Sequence, residues 1–157
     1  MKKIIRFILS NFLALTLCFI VLVKGHKEVK KQKEQADKFS IYYLLMNLWI
    51  KKSQQGKKVE EYLQKKNYYK VAIYGLAEMG EVLIGELKNT EIEIIYGIDK
   101  RVNGIKVDIP VCSLKDELKE VDAIIVTPTV YFNSIEKELR EKISCPIISL
   151  EEIIFNM

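Results

Sequence analysis

Apolar positions change their spacing twice along this chain. From Ile4 to Val23 they are nearly continuous, 20 residues of mostly Ile, Leu, Phe and Val, interrupted by Arg6, Ser10 and Asn11. A run of that length matches the hydrocarbon layer of a bilayer, and an arginine near one end can snorkel to the interface. Leu22-Val23-Lys24-Gly25-His26 lacks the small residues of a signal-peptide cleavage site, and Leu17 before Cys18 makes a poor lipidation site. The run therefore reads as an uncleaved single anchor rather than a removed leader. Lys27 to Lys38 is charged and continues the helix. Phe39, Tyr42, Tyr43, Met46, Trp49 and Ile50 then recur at i, i+3, i+4, i+7, i+10 and i+11, which is one apolar helix face. Three fates are open to that face: packing on a globular domain, pairing with a partner helix or a second copy, or lying on lipid. Gly56 ends the helix, and a short second helix is predicted over Val59–Lys65.

After residue 67 the pattern becomes short apolar runs alternating with helical ones. Val71 to Tyr74 is a strand and Glu78 to Leu87 a helix with Met79, Val82, Leu83 and Leu87 at helix spacing. Ile92 to Ile98 is the second strand. Asn103-Gly104 marks a turn. Ile109-Pro110-Val111 is at most a short strand, and the proline points to a sheet edge. Ser113 to Asp116 has the form of a helix cap, predicting a short helix up to Lys119. Asp122 to Thr127 is a continuous apolar strand that suits a parallel sheet covered on both faces, and Pro128 stops it. Phe132, Ile135 and Leu139 mark a helix, Cys145 to Ser149 a last strand, and Ser149-Leu-Glu-Glu152 opens a terminal helix. Alternating strands and helices predict an α/β fold, a Rossmann-like parallel sheet of about five strands in the order 3-2-1-4-5. The expected organisation is an anchor over residues 1–26, a helical linker over 27–67 and a nucleotide-binding domain over 68–157.

Charge and composition narrow the partners. The net charge is +4, concentrated in the first 70 residues, which reads as membrane-proximal rather than nucleic-acid binding. Lys24, Lys27, Lys30, Lys31, Lys33 and Lys38 outnumber Lys2, Lys3 and Arg6 on the other flank of the anchor. The heavier side stays in the cytoplasm, which places the C-terminal domain there. The three cysteines, Cys18, Cys112 and Cys145, are unclustered, arguing against a disulfide framework or a metal site. The sole histidine, His26, flanks the apolar run, which argues against a Ser-His-Asp triad or a histidine-based zinc site.

The candidate chemistry lies in Lys70 to Gly80, KVAIYGLAEMG. Its turn has the form Gly75-x-Ala77-x-x-Gly80, a dinucleotide fingerprint with alanine at the second glycine. Gly75 permits the sharp turn, a small residue at 77 lets phosphates approach the backbone, and Gly80 allows close helix–strand packing. The helix N-terminus offers free N–H groups to an anion. Asp99 ends the second strand 19 positions past Gly80, where a carboxylate can accept hydrogen bonds from a ribose. At the switch point of such a sheet the cofactor-binding residues are Gly75, Leu76, Ala77, Glu78, Met79 and Gly80 as floor. Asp99, Lys100 and Arg101 lie on one side, and Thr127, Pro128 and Thr129 on the other. Asp99 leans the cofactor towards NAD, while Lys100 and Arg101 could tolerate the phosphate of NADP. Glu78 sits awkwardly, because a carboxylate at a helix N-terminus repels a pyrophosphate; it is either a structural cap or a sign that the ligand is not a simple dinucleotide. Tyr131 has two readings, a ring that stacks on a base or sugar or a tyrosine that is simply half-buried. Tyr62-Leu-Gln-Lys-Lys66 matches a Tyr-x-x-x-Lys spacing but precedes the fingerprint, so it is a chance match.

Tyr68-Tyr69-Lys-Val-Ala-Ile-Tyr-Gly75, Glu78-Met-Gly80, Tyr96-Gly-Ile-Asp99, Asp122-Ala-Ile-Ile-Val-Thr-Pro128 and Cys145-Pro-Ile-Ile-Ser-Leu-Glu151 together carry a family resemblance. From about Tyr42 onward the chain resembles small Rossmann-like proteins of bacterial capsule and exopolysaccharide biosynthesis, described as nucleoside-diphosphate-sugar epimerase-like or NAD(P)-binding. The resemblance implies a nucleotide or nucleotide-sugar ligand. The chain also resembles the nucleotide-sugar-binding domain of some sugar acyltransferases, without their hexapeptide repeats. It departs from true epimerases in having neither a placed Tyr-x-x-x-Lys pair nor a C-terminal substrate domain. The expected function is a membrane-anchored cytoplasmic nucleotide- or nucleotide-sugar-binding domain accessory to surface-polysaccharide synthesis. The alternatives are a sugar-nucleotide oxidoreductase or epimerase completed by a partner chain, and a ligand-free scaffold.

Overall fold

The computed structural model describes residues 2–100 and 106–157, with side chains described from Phe19 onward except Ile20. The turn expected at Asn103-Gly104 and the site residue Arg101 lie outside these residues. The chain divides into two compact units, 1–43 and 44–157. The backbone of the first is part of helix α1 (Lys2–Gln54), whose last eleven residues belong to the second. Among the described residues no helix is long and apolar enough to cross a membrane. The span expected at Ile4–Val23 lies almost entirely outside the described side chains.

The second unit is built on a five-stranded, all-parallel sheet in the order β3-β2-β1-β4-β5. The strands are β1 (Lys70–Tyr74), β2 (Glu93–Ile98), β3 (Val111–Cys112), β4 (Ala123–Val126) and β5 (Ile147–Ser149). The helices are α2 (Val59–Lys65), α3 (Glu78–Leu87), α4 (Phe132–Arg140) and α5 (Leu150–Asn156), with a 3₁₀ turn at Thr129–Tyr131. Val71 to Tyr74 and all of β4 are buried, because helices cover both faces of the central strands. Alternation along the strands divides their side chains between two half-cores. Ala72, Tyr74, Tyr96, Ile98, Ile124 and Val126 pack with Ile135 and Leu139 of α4. Val71, Ile73 and Ile125 are left for the face covered by α2, α3 and α5, where Leu63, Leu83 and Ile153 are fully buried.

Two helix ends follow from single residues. Gly56 takes a left-handed conformation (φ +79°) just past α1. Its N–H donates to Ser53 O, and that of Lys57 reaches back to Lys52 O, satisfying carbonyls the helix leaves open. Asn67 (φ +61°) does the same after α2, with Tyr68 N–H on Leu63 O. The start of α2 is secured from outside: Glu86, near the end of α3, accepts from Val59 N–H at 3.0 Å and from Trp49 Nε1–H at 2.6 Å.

Three expectations are corrected. No helix forms over Ser113–Lys119. Asp116 Oδ2 accepts Ser113 N–H at 2.7 Å and Ser113 Oγ accepts Lys115 N–H at 3.1 Å, which closes one turn. The Lys119 carbonyl is then taken by the Tyr96 hydroxyl at 2.8 Å, and the segment runs on without a helix. The expected strands at Ile109–Val111 and Cys145–Ser149 are displaced to Val111–Cys112 and Ile147–Ser149, since Pro110 and Pro146 lack the N–H a ladder needs. Both prolines still accept through their carbonyls, from Gly97 N–H and Ile124 N–H. The apolar face of α1 is rotated within the second unit. Leu45 and Trp49 are buried, whereas Ile50 remains half-exposed. Lys52, next on the buried side, donates to Phe155 O at 2.7 Å and Met157 O at 3.0 Å.

Candidate functional site

The turn between β1 and α3 sits at the centre of the sheet, where β1 separates β2 from β4. Gly75 has φ +91° and donates its N–H to Ile98 O at 2.8 Å. A Cβ on Gly75 would lie 2.6 Å from Pro128 Cδ and 2.7 Å from Thr127 Oγ1. One on Gly80 would lie 2.2 Å from the Gly75 carbonyl oxygen. Position 75 thus demands glycine for its torsion and its neighbours, and position 80 for the contact between helix and turn.

The remaining site residues are arranged around that contact. Leu76 is buried and seated over Gly97, where a Cβ would meet Leu76 Cδ1 and Cδ2 at 2.7 Å. Ala77 is extended (φ −75°, ψ −165°) and forms the N-cap of α3 with no side-chain cap. Ala77 and Glu78 are exposed; Met79 is buried. Asp99 reaches back across the end of β2, and its Oδ2 accepts Leu76 N–H at 3.0 Å. On the far side, the Thr127 hydroxyl donates to Gly75 O at 2.8 Å, so β4 is tied to the turn. Thr129 is buried, and among the described residues its hydroxyl has no hydrogen-bond partner. Lys100 is exposed and lies 3.8 Å from Glu138 Oε2 of α4. Tyr131 is half-exposed.

The structure therefore brings the turn, Asp99, Thr127 and Pro128 into one cluster. It carries Lys100 towards α4. Sequence reasoning missed three participants. Gly97 was legible as a strand glycine with a close neighbour. Glu138 carried no signal, being one of two glutamates on a polar helix. Tyr74 read only as a strand residue, yet its hydroxyl is buried at the end of β1 without a partner among the described residues. Burial first, and then the Glu138 and Asp99 carboxylates, hold its pKa above the usual tyrosine value.

Other chemistry is scarce. Among the described residues no group of three or more His, Cys, Asp and Glu side chains could hold a metal ion. Cys112 and Cys145 are free, partly buried thiols whose pKa values burial raises, opposite to the shift that activates a nucleophile. Tyr62 is a packing residue: its hydroxyl donates to Glu152 Oε1 at 3.1 Å. Two grooves lie away from the turn. One of about 380 Å³ runs between the end of α1 and Val82 and Glu86 of α3; the other, about 540 Å³, lies beside Glu81–Lys88, Ile94 and residues 106–109.

Comparison of the chain with protein-family models, with curated proteins and with solved structures gives no match in any of the three.

Proposed function

We propose that this chain is a membrane-anchored, single-pass protein whose Rossmann-like cytoplasmic domain binds a nucleotide or nucleotide-sugar at the Gly75–Gly80 turn. The supporting observation is the bare start of α3: Ala77 provides no side-chain cap, and Ala77 and Glu78 are exposed at the C-terminal edge of the sheet. Uncapped N–H groups at that point suit a phosphate. Asp99, held against Leu76 N–H at 3.0 Å, lies beside the position a ribose would take. The anchor rests on the 20-residue apolar run, and the accessory role in surface-polysaccharide synthesis on the family resemblance.

The test is a thermal-shift and calorimetric screen of the full-length chain in detergent against NAD, NADP and UDP-sugars. A ligand at 100 times its dissociation constant adds about 2.7 kcal/mol of stability. Ala77→Val should weaken binding by about 1–3 kcal/mol through overpacking, while Glu78→Gln should tighten binding of an anion. No stabilisation by any of these nucleotides would sink the reading.

One observation favours a ligand-free scaffold instead. Asp99 already serves Leu76 N–H, and Thr127 already closes on Gly75 O, so the turn is held together internally. Under that reading Ala77→Val changes no affinity, because there is none to change.

A further inference from the structure

Helix α1 carries a second periodicity, which includes Phe39, Tyr43 and Ile50 but not the buried Leu45 and Trp49. Leu22, Val29, Ala36 and Tyr43 repeat at seven residues, and the sequence continues the repeat to Ile50. Leu22, Val29, Ala36 and Tyr43 are all exposed in the first unit, as is Phe39, three residues past Ala36. In heptad terms Leu22, Val29, Ala36 and Tyr43 are a positions, and Gly25, Gln32 and Phe39 are d positions. A straight α-helix drifts about 20° per heptad, so a stripe that keeps a strict seven-residue repeat follows a supercoiling partner rather than a flat surface. A face meant for a domain core or a lipid surface is wider.

We propose that α1 pairs with α1 of a second copy of this chain as a parallel, in-register coiled coil over Leu22–Tyr43. Charge selects both the partner and the direction. Glu28 occupies a g position and Lys33 the following e position, so the parallel arrangement sets Glu28 of each copy against Lys33 of the other, twice across the two-fold axis. The antiparallel arrangement sets e against e and g against g, bringing Lys33 towards Lys33. Gln32 at a seam position adds register, because its amide meets a hydrogen-bonding partner only when it faces Gln32 of the second copy. The inference is independent of the nucleotide reading.

The test uses the full-length chain in detergent micelles, with Cys18, Cys112 and Cys145 changed to alanine. Single cysteines are placed by Val29→Cys and Ala36→Cys in the seam and by Glu34→Cys on the outer side. Mild oxidation should give disulfide-linked dimers at 29 and 36 and leave 34 monomeric. Glu28→Lys and Lys33→Glu should each weaken dimerisation by about tenfold, and the double reversal should restore it, since both exposed pairs turn from attraction to repulsion and back. Equal yields at 29, 34 and 36 would mean random collision in the micelle and overturn the proposal. A monomer by sedimentation would also overturn it. If the thiol at 29 is then shielded by lipid, the stripe belongs to the bilayer surface; if it is freely labelled, the stripe is a solvated face. Failure of the double reversal to restore dimers would overturn the parallel register.

Discussion

Helices α3 and α5 begin in the same way in sequence and in opposite ways in structure. Each follows a parallel strand, and each has two acidic residues in its first turn, Glu78 and Glu81 in one and Glu151 and Glu152 in the other. At α5 the chain closes its own helix end. Ser149 Oγ accepts Glu152 N–H at 3.0 Å, and Tyr62 of α2 donates to the Glu152 carboxylate at 3.1 Å. At α3 the N-cap is Ala77, and the helix is held by a backbone contact instead, with Gly80 against the Gly75 carbonyl. The acids favour both N-termini through the helix dipole. The difference lies in where the polar groups go. The edge of the sheet spends a serine on stability. The centre of the sheet relies on the close packing of Gly80 on the turn, and its helix starts without a side-chain cap.

That contrast can be broken most severely at Gly80. Gly80→Ala places a methyl group 2.2 Å from a backbone oxygen, and the helix must move away from the turn. The expected loss is about 3 kcal/mol or more in urea unfolding of the full chain, the upper end of overpacking. Gly85 in the same helix has nothing within 4 Å of its would-be Cβ, so Gly85→Ala is the control and should gain about 0.5–1 kcal/mol. A loss of the same size at both would mean that packing at the turn is not what holds α3.

The α5 end is exposed to alkali. Burial, and then the hydrogen bond to Glu152, push the Tyr62 pKa from 10.0 up to about 12. Above 10 the unfolded chain releases this proton while the folded chain keeps it until about 12. The contribution is therefore complete below 10 and is lost as pH rises between the two values. At one pKa unit per 1.36 kcal/mol, the loss is on the order of 2–3 kcal/mol. Tyr62→Phe should flatten this part of the pH–stability curve, followed by tyrosinate absorbance and denaturant melts. An unchanged slope would remove Tyr62 from the account of α5.

Smaller effects sharpen the comparison of caps. Ser149→Ala should cost about 1 kcal/mol, the usual value of an N-cap. The reverse change, Ala77→Ser, should stabilise by about 0.5–1 kcal/mol by supplying the cap α3 lacks, and should weaken any anionic ligand at the turn. If Ala77→Ser raises stability without touching nucleotide affinity, the bare helix end is not the binding element.

Much of the fold was legible because it depends on local patterns. Helix α3 and helix α2 fall where apolar spacing placed them, since period and turn residues act within a few positions. The strand order 3-2-1-4-5 was legible too, although among the described residues no helix stands between β2 and β3 or between β3 and β4. The failures occur where a distant group competes with a local preference. Ser113 and Asp116 begin a cap, but the Tyr96 hydroxyl takes the Lys119 carbonyl, and no helix follows. Leu45 displaces Ile50 from the buried side of α1, because Glu86 fixes Trp49 and the C-terminal carbonyls fix Lys52. At the candidate site the sequence by itself determined the glycine turn and the presence of an acid at the end of the next strand, which spacing alone specifies. Only the tertiary structure decided that Asp99 binds Leu76 N–H, that Thr127 closes on Gly75 and that Tyr74 is buried beside Glu138. Those contacts join residues 23 to 64 positions apart, and no pattern within one element encodes which of the available partners a polar group will reach.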